Sequence, residues 1–299
     1  MEIRDFKDYI PLDKSWMIRM GVLDVLNNYF DIISFLHTQR EDFLGDDLKA
    51  LREACRAWNS NYSIDIGESG TLYRFLQFAS WKSDLKKEFI KKGTLKDRPI
   101  CNDPSIVKLP LEELLKLDDG TSQWASASVL SGNSQRLEDV PYKLKLSYEA
   151  VDHWNSQRNQ DKVWEPKHDK TIEYQALSFM ELASLGKMLP FFPSHSEDYC
   201  FARAFGWTLK EEGAKRFPSL KGHESNRLEY MENYLDKLNS GEEIDSKDHR
   251  VIQSIAMLAK SQKKDVNFTH PESVNKSWPQ FWDFLKVAHL LKSPYVPKG

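Results

Sequence analysis

Cysteine is scarce: three residues, Cys55, Cys101 and Cys200, in a chain of 299. An odd, scattered set offers no even framework for a secreted disulfide scaffold, and no Cys-x-x-Cys pair points to zinc. Long apolar runs are missing as well, for no stretch approaches the roughly 20 residues needed to cross a bilayer. The opening residues, MEIRDFKDYIPLDK, mix charges of both signs and lack the apolar run of a signal peptide. Neither sign of charge dominates. With 42 Lys and Arg against 45 Asp and Glu, the net charge is −3. Bulk electrostatics therefore draws the chain to neither nucleic acid nor membrane, and an anion site has to be local. His37, His153 and His168 lack ligand-like spacing, so no metal is expected. The reading is a reduced, cytoplasmic protein of one large or two medium domains.

Aromatic residues are present in number, but Trp278, Phe281, Trp282 and Phe284 fall on apolar faces, and core packing explains them better than a stacking surface for sugars or bases. A more specific feature lies at the helix starts. In SKDHRVIQSIAMLAK, Asp248 is an ordinary cap. Arg250 is not, because the first turn already carries the positive end of the helix dipole. Lys14, Ser15 and Arg19 precede or open LDKSWMIRMGVLDVLNNYF. A Gly-rich turn, Gly67 to Thr71, leads to a helix bearing Arg74, and Thr121, Ser122 and Gln123 open another. His223, Glu224, Ser225 and Arg227 crowd a further first turn, and Lys276 and Ser277 stand before a helix expected from about Pro279. Singly, each is a cap or a solvated cation. Repeated, they suit several helix N-termini that share a small, multiply anionic ligand.

In order as well as in type, these motifs resemble the enolpyruvyl transferases, most closely the 5-enolpyruvylshikimate-3-phosphate synthase (3-phosphoshikimate 1-carboxyvinyltransferase) family. Lys14-Ser15 with Arg19 is similar to its Lys-Ser-x-x-x-Arg, and Gly67-Glu68-Ser69-Gly70-Thr71 with Arg74 to its Gly-Asn-Ala-Gly-Thr and following Arg. Arg98-Pro99-Ile100 resembles its Arg-Pro-Ile, Thr121-Ser122-Gln123 its Ser-Ser-Gln, and Pro141-Tyr142 its Lys-Pro-Tyr. Glu224-Ser225-Asn226-Arg227-Leu228, Asp248-His249-Arg250 and Lys276 resemble three later segments. Together they run from about residue 13 to 285.

The resemblance implies a transferase of the shikimate pathway that moves the carboxyvinyl group of phosphoenolpyruvate to a hydroxyl of shikimate 3-phosphate or a related alcohol. It needs no cofactor and acts as a monomer on small anionic substrates. Phosphoenolpyruvate would lie against Lys14, Gly70, Arg98, Gln123, Arg227, His249, Arg250 and Lys276. Lys14, Glu224 and Lys276 are the implied catalytic residues, moving protons as the hydroxyl adds at C2 and phosphate leaves. The acceptor would contact Ser15, Arg19, Thr121, Ser122, Gln123 and Tyr142. Departures concentrate in that acceptor half: Asp139 replaces a phosphate-binding Ser, His223 a Lys, and Glu68 an Asn. A UDP-N-acetylglucosamine enolpyruvyl transferase fits less well, since its reactive Cys precedes the Arg-Pro pair whereas Cys101 follows it. A non-catalytic relative that only binds small anions stays open.

The fold so implied is α/β, a two-domain enolpyruvyl transferase-like arrangement of repeated βαβαββ units with helix N-termini facing the cleft, some units truncated. The expected domains are 14–155 and 1–13 plus 156–299, with the polar stretch NSQRNQDK, residues 155–162, as the crossing. PYKLKLSYEAVDHW reads as strand or helix, and DKTIEYQALSFMELASLGK starts with a short β-like run before a helical pattern.

Overall fold

A computed structural model of the chain describes residues 4–60, 62–117, 121–160, 166–186, 193, 196–221 and 226–291. The backbone falls into two compact units, one of residues 12–167 and one of residues 1–11 with 168–299. Each is mostly helical.

The first unit contains α1 (Lys14–Leu26), α2 (Asp31–Thr38), α3 (Asp46–Ala57), α4 (Gly70–Lys82), α5 (Leu111–Leu114), α6 (Gln123–Leu130) and α7 (Tyr142–Gln160). Asp13 caps α1 by accepting the Trp16 amide at 2.9 Å. From Trp16 to Val25 every side chain is buried, so α1 is enclosed on all sides, as a central helix must be. Two charges lie inside it, Arg19 and Asp24. The Asp24 carboxylate accepts the Ile32 amide at 2.9 Å, the Trp154 indole at 2.8 Å and Arg158 at 2.9 Å, which fastens α2 and α7 to α1. Helix α6 lies between α4 and α7, with Trp124 stacked on Trp81 and tilted against Phe78.

The second unit holds α8 (Lys170–Leu185), α9 (Tyr199–Ala204), α10 (Lys210–Arg216), α11 (Arg227–Ser240), α12 (His249–Ser261) and α13 (Phe281–Val287). Helix α12 is buried from His249 to Ala259 and packs against α9 and α11. Phe6, Tyr9 and Ile10 join the core formed by Trp278, Phe281 and Phe284. Trp278 donates its indole N–H to the Tyr9 carbonyl at 2.6 Å. Pro11 accepts the Asp169 amide at 2.9 Å. The aromatic cluster at 278–284 is thus core, with Trp282 at its margin. Helix α13 begins at Phe281, two residues after the expected Pro279, and follows the 3-10 turn Pro271–Lys276.

Strand structure among the described residues is slight: β1 (Ile64–Asp65) pairs in parallel with β2 (Phe89–Ile90), and Ile244 bridges Phe268. The repeated βαβαββ units implied by the resemblance are not traced by these residues. PYKLKLSYEAVDHW is helical from Tyr142, and its buried Leu144, Ser147, Tyr148 and Ala150 follow a helical rather than an alternating spacing. DKTIEYQALSFMELASLGK is helical from Lys170, because Asp169 caps it through the Ile172 amide at 3.0 Å and Ile172, Ala176, Phe179 and Met180 form one buried face. Most of the expected crossing at 155–162 lies in α7, which runs to Gln160; the division between units falls after Lys167.

Cys55 and Cys200 are buried. Burial raises both thiols, that of Cys200 to about 12, so neither is a nucleophile at neutral pH.

One glycine marks a tight contact. A Cβ on Gly213, inside α10, would stand 2.2 Å from Cε2 of the buried Tyr199 ring. Ordinarily Gly→Ala stabilises a helix interior by roughly 1 kcal/mol. Here overpacking reverses the sign, and Gly213→Ala should lower the unfolding free energy by about 1–3 kcal/mol. Urea unfolding measures it; a more stable variant would show that the ring does not occupy this space.

Candidate functional site

In the first unit, the strongest cluster is built around the start of α4. Gly67 adopts a left-handed turn (φ 55°) and its amide donates to Asp65 at 3.0 Å, turning the chain out of β1. Ser69 then caps the helix through the Leu72 amide. A Cβ on Gly70 would meet Arg74 Nη1 at 3.0 Å and Arg98 Nη1 at 3.2 Å, so the missing side chain lets two guanidinium groups approach one point. Arg74 Nη1 donates to the Gly70 carbonyl at 3.1 Å and to Oε1 of Gln123 at 2.7 Å. Arg98 Nη2 donates to Thr94 Oγ1 at 2.9 Å, and Thr94 in turn donates to Glu68 at 3.1 Å. Glu68 is therefore engaged with the loop before Arg98. Gly70, Arg98 and Gln123, predicted from widely separated motifs, come together. Arg74 joins them as a member the site reading omitted.

The other predicted positions of this unit behave differently. Lys14, in the first turn of α1, pairs with Asp47 of α3 at 3.1 Å. Asp47 was not foreseen, although an Asp at a helix start is a visible signal. Arg19 is 3% exposed and turned inward: Nε, Nη1 and Nη2 donate to Ser147 Oγ at 2.8 Å, the Ser15 carbonyl at 2.8 Å and the Lys143 carbonyl at 3.1 Å. These bonds tie α1 to α7. Nearby Ser15 contributes its carbonyl to the same tie. Ser122 is buried at the start of α6, and Thr121 Oγ1 is buried with no hydrogen-bond partner among the described residues. Tyr142 is 63% exposed at the start of α7. Asp139 is exposed as well.

In the second unit the cationic start of α12 is part of a buried ionic network. The Asp248 carboxylate accepts the Arg250 and Val251 amides at 2.9 and 3.4 Å, and Arg227, at the start of α11, donates to it at 2.8 Å. Arg250 is 2% exposed. Its Nη2 faces Glu197 at 3.4 Å and Asp169 at 3.8 Å, while Nη1 is buried without a hydrogen-bond partner among the described residues. The carboxylates offset the cation against the helix dipole. His249 is buried beside Arg250. Gln253, one turn on, donates to Ser277 Oγ at 3.1 Å, next to the half-buried Lys276. Cys200 also belongs to this surrounding: burial raises its thiol most, Arg227 and Arg250 oppose that rise, and Asp248 adds to it. Asp169, Gln253 and Ser277 are further members that sequence reading did not assign. Asp169 has a visible signal, its position just before the apolar pattern of α8. His223 and Glu224, the latter a predicted catalytic residue, lie outside the described residues.

Among the described residues, no group of three or more His, Cys, Asp and Glu is placed to hold a metal, and no helix is long and apolar enough to cross a membrane.

The molecule is thus a mostly helical protein of two units, each with arginines gathered at a helix start. No family model matches the chain, and no solved structure matches it. Among curated proteins it is similar to a 3-phosphoshikimate 1-carboxyvinyltransferase of Clostridium perfringens (strain 13 / Type A), 38% identical over 61 residues. That stretch is 20% of this chain and 14% of the relative. A local match of this extent supports a distant relationship at most.

Proposed function

We propose that this protein binds phosphoenolpyruvate and transfers its carboxyvinyl group to a hydroxyl of shikimate 3-phosphate or a related alcohol, with release of phosphate. The observation that carries this reading is the meeting of Gly70, Arg98 and Gln123 at the start of α4, where Arg98 and Arg74 approach one point. Like charges gathered at the positive end of a helix are most stable with an anion among them. The resemblance also assigns Arg227, His249, Arg250 and Lys276, in the second unit, to phosphoenolpyruvate, and Nη1 of the buried Arg250 has no hydrogen-bond partner among the described residues. Lys14, Lys276 and Glu224 would move the protons of addition and elimination. Other parts of the implied enolpyruvyl transferase arrangement, its βαβαββ repeats included, would then be reduced around helices that keep their ligand-facing starts.

A second reading, anion binding without turnover, is favoured by Arg19. The acceptor's expected partner faces Ser147 and two carbonyls instead.

Phosphate release on mixing the protein with phosphoenolpyruvate and shikimate 3-phosphate separates the two. Release that requires both substrates and is lost in Lys14→Ala is the expected result. Phosphoenolpyruvate binding by calorimetry without release would establish the second reading, and absence of both would refute the two together.

A further inference from the structure

We infer that Arg74 is a positioning residue that fixes which end of the Gln123 carboxamide faces the anion. The inference rests on the reading of Gly70, Arg98 and Gln123 as an anion site. It adds to that site a residue that acts through Gln123.

A glutamine side chain ends in one acceptor and one double donor, and rotation by half a turn exchanges them. Left to itself at the first position of α6, Gln123 would present either. Arg74 removes that freedom. A guanidinium only donates, so the carboxamide atom at 2.7 Å from Arg74 Nη1 has to be Oε1. The amide Nε2H2 therefore points away from Arg74 as a donor. An anion at the start of α4 would then meet donors of one kind: the Arg98 guanidinium, the free amides of the first helical turn and Gln123 Nε2.

Arg74 itself is held in place. It is buried, its Nη1 also donates to the Gly70 carbonyl at 3.1 Å, and its guanidinium carbon lies 6.0 Å from the Trp124 ring centre. The position one turn into α4 brings it back over Gly70, where any side chain would intrude on it at 3.0 Å. Both contacts are made by the one nitrogen, Nη1, while the planar guanidinium around it is held close to the Trp124 ring.

Two readouts test this. The first needs no ligand: the side-chain NH2 resonances of Gln123, identified by their loss in Gln123→Glu, recorded in the intact protein and in Arg74→Met. A carboxamide held by Arg74 gives a resolved pair whose shifts move in the variant, while the backbone spectrum away from α4 and α6 stays unchanged. An unmoved pair overturns the inference. The second is phosphoenolpyruvate affinity by calorimetry for Arg74→Met, Gln123→Ala and the double variant. Each single change is expected to weaken binding by roughly tenfold, and the double change by no more than Gln123→Ala alone. Additive losses would overturn the inference, because Arg74 would then act independently of Gln123. If the unaltered protein binds no phosphoenolpyruvate, the anion reading fails and the resonance shift still decides the positioning of Gln123.

Discussion

Replacing Arg19 with methionine is expected to destabilise the folded protein by about 2–4 kcal/mol, without any ligand present. Methionine keeps much of the length and volume of the side chain, so the change isolates its polar work. In the native structure three nitrogens of one buried guanidinium donate to Ser147 Oγ and to the carbonyls of Ser15 and Lys143, with the guanidinium carbon 5.3 Å from the Phe75 ring centre. Loss of the donors leaves the Lys143 carbonyl and the Ser147 hydroxyl buried between α1 and α7 with a weaker set of partners, and each such group costs about 1–3 kcal/mol. Ser147→Ala removes one of these acceptors and should cost less, about 1 kcal/mol. The double variant should fall short of the sum, since both changes break the same bond. Urea unfolding of the four proteins is the measurement. An Arg19→Met protein as stable as the parent would place Arg19 in a ligand pocket, because residues shaped for ligands often cost the empty protein stability rather than adding to it.

Arg19 also illustrates what the sequence could and could not reveal. Its recurrence as a cation near a helix start was legible, and so were the starts themselves: Asp13, Ser69, Asn226 and Asp248 all cap the helices that their neighbours suggest. What a cation faces was not legible. Seen in sequence, Arg19 and Arg98 are equivalent, but Arg19 sits where α7 closes over α1 and Arg98 at the edge of the Gly70 turn. Tertiary packing alone decides between them. Arg250 is an intermediate case. The question posed by a cation in the first turn of α12 has an internal answer in Glu197 and Asp169, which come from distant segments. Its Nη1, without a hydrogen-bond partner among the described residues, leaves room for an external answer as well.

The helical content was hidden for a different reason. A resemblance carries a fold along with its motifs, and the motifs here sit on helix starts, which say little about the strands behind them. The polar run at 155–162 looked like a linker because it lacks apolar residues, yet Arg158, in the same run, reaches the buried Asp24 and stays part of α7. One long-range ion pair of that kind turns an apparent linker into the end of a packed helix. Arg74 was passed over because its partner, Gln123, is far from it in sequence.

The Asp248 carboxylate holds two functions at once, and its removal should have the largest effect in the second unit. Asp248→Ala is expected to cost about 4 kcal/mol. Breaking a buried ion pair by deleting one partner costs about 3–5 kcal/mol, and loss of a helix cap about 0.5–2 kcal/mol. The two overlap because one carboxylate serves both, so they do not add in full. On one side it accepts the Arg250 and Val251 amides, which have no partner further up the helix. On the other it takes Arg227 Nε at 2.8 Å, in a pair whose carboxylate side is 2% exposed. Asp248→Asn separates these contributions. Its carbonyl oxygen still caps α12, while the neutral amide no longer balances Arg227, so about half of the loss should return. Urea unfolding gives the stabilities, and phosphoenolpyruvate calorimetry on Asp248→Asn, the better folded of the two, reads the site. If Arg227 and Arg250 bind the anion, that variant should bind more weakly, because Arg227 loses the charged partner that orients it. Unchanged binding in a destabilised Asp248→Asn protein would assign Arg227 and Asp248 to the scaffold alone. The anion site would then rest on Arg98, Gln123 and the start of α4.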